Sequence, residues 1–350
     1  MEYRNLGQSG LRVSRIIFGG AHIGELLSEE QTAPVVHAAW EHGINTFYTA
    51  DSYNGGRAEE ILGKVLKPRR DDVVLIVKVG AYVGQDGKSY DWVSNDPTGL
   101  DEAALWRRGI APGSMGLSRK HLVKALDASL ARLQTDYIDV YSPHGWDTWT
   151  PIEETLETLN DFVRAGKVRH LGCSRTNGWQ FHRALGASAK AGWPRYEAMQ
   201  VRFNLLERTA AQDQLAAVEE AGASILAFGS LAGGMLAGQY SRESPRPSDL
   251  GYRQKHLDVY WNDETFQLVD ELAALATQAQ RPIAELAQAW ALAQAPVSAL
   301  LVGPNTPEEV GPHVGAAVRP LTAEEAQAID ELLSGRPLST ASAWLPGPTP

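Results

Sequence analysis

Short apolar runs alternate with longer amphipathic stretches along most of the chain. Residues 3–13 form two brief segments around the polar turn Gln8-Ser9-Gly10, the pattern of a small hairpin. Apolar runs at 15–19, 44–47, 73–79, 137–141, 168–173, 198–201, 224–228 and 299–302 predict strands. Amphipathic stretches at 29–42, 57–66, 118–133, 152–165, 179–191, 212–221, 264–278 and 283–293 predict helices, and a final helix starts at 307–315. Ser118 suits the N-cap of the third of these, because its hydroxyl can accept from an unpaired N–H of the first turn.

The strands are apolar on both faces, as parallel strands covered by helices must be. Eight such strands, alternating with helices without a break, predict a (β/α)8 TIM barrel with an N-terminal β-hairpin and long loops over the C-terminal mouth. The competing arrangement is an open doubly wound sheet. Against it, the first strand runs into GGAHIGE, which lacks the GxGxxG spacing of a Rossmann turn. Residues 1–333 are expected to form this one domain and residues 334–350 a flexible tail, with Trp344 as its candidate anchor. Two inserts, 81–117 and 232–262, leave the C-terminal ends of strands and should lie over the mouth; loops of that length commonly carry function.

Composition narrows the class. Of the 350 residues, 43% are hydrophobic and 21% charged, enough apolar surface for a large core and too much for a disordered chain. The formal charge of −10, with no long basic cluster, argues against nucleic acid as a partner. No run approaches 18 apolar residues, and the N-terminus does not read as a signal peptide, so no membrane partner is expected. A single cysteine, Cys173, excludes an intrachain disulfide and fits a reducing, cytoplasmic location. The nine histidines show no metal-ligand spacing such as HExxH, so no metal is expected. The sequence sets no expectation for oligomeric state.

Polar groups that a core would not need fall at strand ends: Tyr53, Lys78, His144 and the surroundings of Asn177. Each has a structural alternative. Tyr53 suits a surface turn, and His144 could pack beside Trp146. Lys78 is harder to explain away, because it interrupts VVLIVKVG and a lysine in a central strand needs a buried partner or a cavity. Together they form a coherent set. An ammonium beside a phenol stabilises the phenolate, a phenol so tuned is a competent general acid or base, and an imidazole can hydrogen-bond a carbonyl oxygen.

The blocks GINTFYTADSYNGGRAEEILG, VVLIVKVG, LARLQTDYIDVYSPH, GKVRHLGCS, AMQVRFNLLER, ILAFGSLAGGMLAGQY and LLVGPNTPEEV occur in that order. Through them the chain resembles the aldo-keto reductase family over about residues 1–320. The resemblance implies an NAD(P)H-dependent oxidoreductase that transfers hydride to or from an aldehyde or ketone. The dinucleotide lies across the barrel mouth without a Rossmann domain. By position, Tyr53 is the general acid, Lys78 tunes it and His144 orients the carbonyl. Ser174 and Gln200 match positions that hold the carboxamide, and Phe228 the position on which the nicotinamide stacks. Gly229, Ser230 and Leu231 match the pyrophosphate path, while Gly303, Asn305, Glu309 and His313 match the adenosine end. Gly20, Ala21 and His22 match the loop beside nicotinamide and substrate.

The departures from the family pattern bear on chemistry and cofactor. Tyr48 stands where the family carries a fourth catalytic residue, an aspartate paired with the lysine; Asp51, three residues on, should point elsewhere on a regular strand. Whether Lys78 then acts on Tyr53 as an ammonium or as a neutral amine is open, and the two would move the phenol in opposite directions. A redox-neutral dehydratase, lyase or epimerase using bound NAD(P)+ is therefore the alternative, and a non-catalytic cofactor-binding regulatory subunit the third reading. The expected cofactor is NADP, with NAD as the other candidate. Arg175 replaces an asparagine, Asn305 an arginine that commonly grips the 2′-phosphate, and His313 an asparagine that contacts adenine; Arg175 or Arg319 could compensate. Trp92, Trp146 and Trp261, among other loop tryptophans, suggest aromatic walls for a carbonyl or sugar-like small molecule, or loop anchors.

Overall fold

In the computed structural model, strands β1 (Tyr3–Asn5) and β2 (Arg12–Ser14) form the N-terminal hairpin. Barrel strands β3 (Ile16–Gly19), β4 (Thr46–Ala50) and β5 (Val74–Val79) follow, then a short antiparallel pair, β6 (Tyr82–Val83) with β7 (Ser89–Tyr90). The barrel continues through β8 (Ile138–Pro143), β9 (Val168–Ser174), β10 (Tyr196–Arg202), β11 (Ser224–Phe228) and β12 (Val297–Val302). These eight strands pair in parallel and close, β12 returning to β3. The structure describes all residues except 85–88, 91–105, 108, 249, 252–253 and 341–350, so Trp92 and Trp344 lie outside the described residues.

Around the barrel lie α1 (Glu29–Glu41), α2 (Arg57–Leu66), α3 (Arg119–Leu133), α4 (Ile152–Arg164), α5 (Gly178–Ala191) and α6 (Gln214–Glu220). The chain then forms α7 (Gln254–Asp258), α8 (Asp263–Gln278), α9 (Ile283–Ala293), α10 (Val310–Val318) and α11 (Ala323–Leu333). Ser118 caps α3 as expected, accepting from the His121 N–H. Among the described residues no helix is long and apolar enough to cross a membrane.

Strand alternation sorts the residues into two layers. Tyr48 and Ile76, in register on β4 and β5, face inward and share a cluster with Ile17, Val140, Ala198 and Leu226. Phe47, Leu75 and Val77 face outward and join the larger core beneath the helices. Hairpin residues Leu6 and Val13 extend the inner cluster. The Gly7 N–H donates to Ser224 Oγ at the start of β11, 2.8 Å away, so the hairpin lies at the end of the barrel opposite the mouth.

The structure changes three expectations. The second strand runs 46–50 rather than 44–47, because Asn45 is taken up in contacts with the hairpin: its Oδ1 accepts from the Ser14 N–H and its Nδ2 donates to the Arg12 carbonyl. Helix α11 has no counterpart in the sequence reading, although Thr322 and Glu325 form a capping box, a signal that is legible in the text. The expected free tail is held through Thr340. The Arg208 N–H donates to the Leu338 carbonyl at 2.6 Å, and Thr340 bonds Leu206, Asn262 and Thr265. Arg208 is buried, and its guanidinium donates to the Pro337 carbonyl of this segment and to the Leu205 carbonyl.

Packing also creates a pH-dependent term. His121 lies on the buried face of α3, and burial pushes its imidazole down to about 4, outweighing the Ala81 carbonyl that favours the charged form. Its folded value lies below the ordinary one, so the unfolded chain takes up this proton first as pH falls. The associated stability is complete above the ordinary histidine value and is lost between that value and about 4. Lowering the pH from 7.5 to 5 should therefore cost roughly 1–2 kcal/mol through this group. Urea unfolding of the wild type and His121→Gln at both pH values checks this; identical pH slopes in the two proteins would sink it.

Candidate active site

The turn carrying Tyr53, Tyr53–Gly56, follows β4 and is kinked rather than regular. Asn54, Gly55 and Gly56 all have positive φ, 49°, 63° and 87°, a run that glycine and asparagine tolerate and most residues do not. Gly56 leaves no room for a side chain, since a Cβ there would lie 2.8 Å from Arg132. Arg132 in turn holds Glu59 of α2 at 2.6 Å, a buried carboxylate whose desolvation raises its pKa against the attraction of the guanidinium. Close approach of α2 and α3 through Gly63, where a Cβ would fall 2.5 Å from Leu133, fixes the same region. Local backbone and helix packing thus aim Tyr53 into the mouth.

Lys78 is the penultimate residue of β5 and faces inward, two residues beyond Ile76. Its Nζ donates to Tyr53 Oη at 2.6 Å and lies 2.9 Å from His144 Nε2. His144 follows β8, its N–H bonded to the Val79 carbonyl at 2.9 Å. The rings of Tyr53 and His144 meet edge-on at 6.3 Å. The loop after His144 is tied by Asp147, which accepts from the N–H groups of Leu117 and Trp149 and from the Thr150 hydroxyl. The three groups picked from sequence therefore meet in one hydrogen-bonded cluster. Such a cluster can hold a carbonyl oxygen and move a proton to or from it.

Tyr48 lies beneath the cluster with its ring centre 5.4 Å from Lys78 Nζ, within cation–π range. Burial, and secondarily the neighbouring Tyr53, push its phenol well above the ordinary range, so it stays a neutral hydroxyl. Asp51 follows the last residue of β4, and its Oδ2 accepts from the Gly80 N–H at 3.0 Å.

From this cluster a cleft of about 1040 Å³ runs across the mouth. Gly20, Arg175, Gln200 and Phe228 line it, as do Gly229, Ser230 and Leu231. Gly303, Asn305, Glu309 and His313 complete another part of the wall. Ser174 is buried beside Gln200 and donates to its Oε1 at 2.9 Å, so it supports that amide rather than facing the cleft. Ser230 accepts from Gln288 Nε2 at 3.1 Å, and the Gln288 amide also meets His313 Nδ1. Burial lowers His313 to about 4 despite Glu309, which keeps its imidazole neutral near pH 7.

Three proposed substrate contacts are placed elsewhere. His22 is buried, with Nε2 3.0 Å from the Pro304 carbonyl. Trp146 packs on Trp179 at 5.9 Å, and Trp261 between Tyr240 and Phe266 at 5.6 and 5.2 Å; none of the three lines the cleft. Aromatic side chains bury large areas, and both tryptophans do so by fastening loops. Arg202, His256, Tyr260 and Gln288 line the cleft without having been singled out. Arg202 was legible, since it lies two residues beyond Gln200 on the same face of β10. His256, 2.9 Å from Arg202 through Nδ1, comes from an insert with no periodic pattern.

Comparison with known proteins agrees with this architecture. The profile of the aldo/keto reductase family matches residues 15–334. An aldo-keto reductase of Fusarium vanettenii is 32% identical, the match covering 97% of this chain and 92% of that protein. The versiconal hemiacetal acetate reductase of Aspergillus parasiticus is 33% identical over 95% of this chain and 96% of its own length. A probable voltage-gated potassium channel β subunit of Oryza sativa is 29% identical over 98% and 99%. With a closed eight-stranded barrel, a mouth cleft and a match running through nearly every strand–helix unit, the chain belongs to the aldo/keto reductase family.

Proposed function

We propose that the protein is a carbonyl reductase that uses a nicotinamide dinucleotide, with Tyr53 as proton donor. The observation that carries this reading is the contact of Tyr53 Oη with Lys78 Nζ, and of Lys78 with His144, within the lining of a cleft of about 1040 Å³. The reductase names of the Fusarium and Aspergillus relatives support it.

The residues present fit the dinucleotide. The turn after β11 carries positive φ at Gly229, Ala232, Gly233 and Gly234, and this brings its backbone to the wall of the cleft. Phe228 offers a ring face for the nicotinamide, and Gln200, steadied by Ser174, an amide for its carboxamide. Ser230, Gln288 and His313 form a polar wall for the ribose and adenine. When bound, the dinucleotide supplies the hydride. His144 orients the substrate carbonyl, Tyr53 gives its proton to the carbonyl oxygen, and Lys78 stabilises the phenolate that remains. The sub-3 Å contacts among the three put them in place before substrate arrives.

Stopped-flow oxidation of NADH and NADPH with a panel of aldehydes and ketones tests the proposal. Turnover with at least one carbonyl is expected; tight dinucleotide binding without turnover of any would overturn it. Tyr48 at the aspartate position favours a second reading, a redox-neutral reaction at the same site in which Tyr53 acts as base.

A further inference from the structure

With the nicotinamide beside Tyr53 and Phe228, the adenosine is left to the wall built by the loop after β12 and the N-terminal ends of α9 and α10. That wall is acidic. Glu285 and Glu309 line it, together with Asn305 and Gln288. The lysine and arginine side chains among the described lining residues, Lys78, Arg175 and Arg202, come instead from the ends of β5, β9 and β10.

Asn305, in this loop, has already spent its donors on a carboxylate. The Asn305 N–H donates to Glu309 Oε2 at 2.7 Å, and Asn305 Nδ2 approaches the same oxygen at 3.4 Å. An incoming phosphate would have to displace an internal carboxylate from those donors and then remain beside it. Two guanidinium groups outside the cleft lining are ion-paired to carboxylates. Arg281 and Arg319 each approach Glu285 at 3.6 Å, and Arg281 also approaches Glu325 at 3.4 Å. Arg319 further donates to the carbonyls of Ala279 and Gln280. His313 is neutral near pH 7 and adds no positive charge. By contrast, a carboxylate is a good acceptor for a ribose hydroxyl.

We infer that the protein selects the dinucleotide with a free 2′-hydroxyl on its adenosine ribose, NAD(H), over the 2′-phosphorylated NADP(H), and that Glu309 is a specificity-determining residue. This rests on the dinucleotide reading above and sharpens it. It also reverses the cofactor preference that the family resemblance suggests.

The test is binding, read independently of turnover. Quenching of tryptophan fluorescence by NAD+, NADP+, ADP-ribose and 2′-phospho-ADP-ribose is titrated on the full chain at low and high salt. At low salt NAD+ should bind roughly tenfold or more tighter than NADP+, and ADP-ribose should lead its 2′-phosphate by a similar factor. The gap should shrink in salt, because like-charge repulsion at an exposed site is screened. Glu309→Gln should narrow the gap, and Glu309→Gln with Asn305→Arg should close or invert it. Equal or tighter binding of NADP+ by the wild type, with NAD+ bound, overturns the selectivity and leaves the reductase proposal standing. Failure of all four ligands to bind overturns both.

Discussion

Tyr53→Phe is expected to lower the rate of carbonyl reduction by roughly 10²–10⁴-fold, the usual contribution of a positioned general acid. The substitution keeps the ring that meets His144 edge-on and removes the oxygen 2.6 Å from Lys78. Dinucleotide affinity should change by no more than about threefold, because an interaction made mainly in the transition state affects kcat rather than binding. Stopped-flow turnover together with fluorescence titration separates the two effects. Survival of more than a tenth of the wild-type rate would show that the proton comes from another group. A parallel loss of binding would mean that the phenol shapes the cleft rather than doing chemistry.

The second large effect is at Tyr48, and stability rather than rate should register it first. Its ring is 1% exposed and belongs to the inner cluster with Ile17, Ile76, Val140, Ala198 and Leu226. Tyr48→Ala should cost about 3–5 kcal/mol, the usual result of emptying a large aromatic site in a tight core. Tyr48→Phe keeps the ring under Lys78 and should cost about 1 kcal/mol or less. Urea denaturation measures both, and a Tyr48→Ala protein as stable as wild type would show that the ring is not a packing element.

Tyr48→Asp bears on the chemistry. Under the reductase proposal the barrel already works with a ring face beneath Lys78, so the variant should reduce carbonyls within about tenfold of wild type, while losing stability through a carboxylate placed among apolar side chains. A rise in reductase rate well beyond that range would instead favour the redox-neutral reading, in which the tyrosine had suppressed ordinary reduction. Burial holds the Tyr48 phenol in its neutral form, so the residue is not itself a base near neutral pH in either case.

The fold class and the members of the central cluster are legible in the chain alone. The alternation of strands and helices is written in hydrophobic period, which is local. Lys78 could be singled out because a charge inside VVLIVKVG is costly unless the fold provides for it. Boundaries were less secure: β4 starts two residues later than expected because Asn45 bonds to a hairpin thirty residues earlier in the chain. The tail could not be read either, since Pro337–Thr340 look like any polar linker until Arg208 and Thr265 present partners to them.

Which polar residues share a surface depends on the closed fold. It set Ser174 behind Gln200, turned His22 toward Pro304, and used Trp146 and Trp261 as anchors. It also brought His256 onto Arg202 and joined Ser230, Gln288 and His313 into one wall. Side chains from strands and helices far apart in sequence meet there because a barrel closes, and closure is a long-range property that no local pattern encodes. The same closure laid the ring of Tyr48 under Lys78 where the family text has a carboxylate, so that this departure, visible in the sequence, acquired a physical form only in the folded protein.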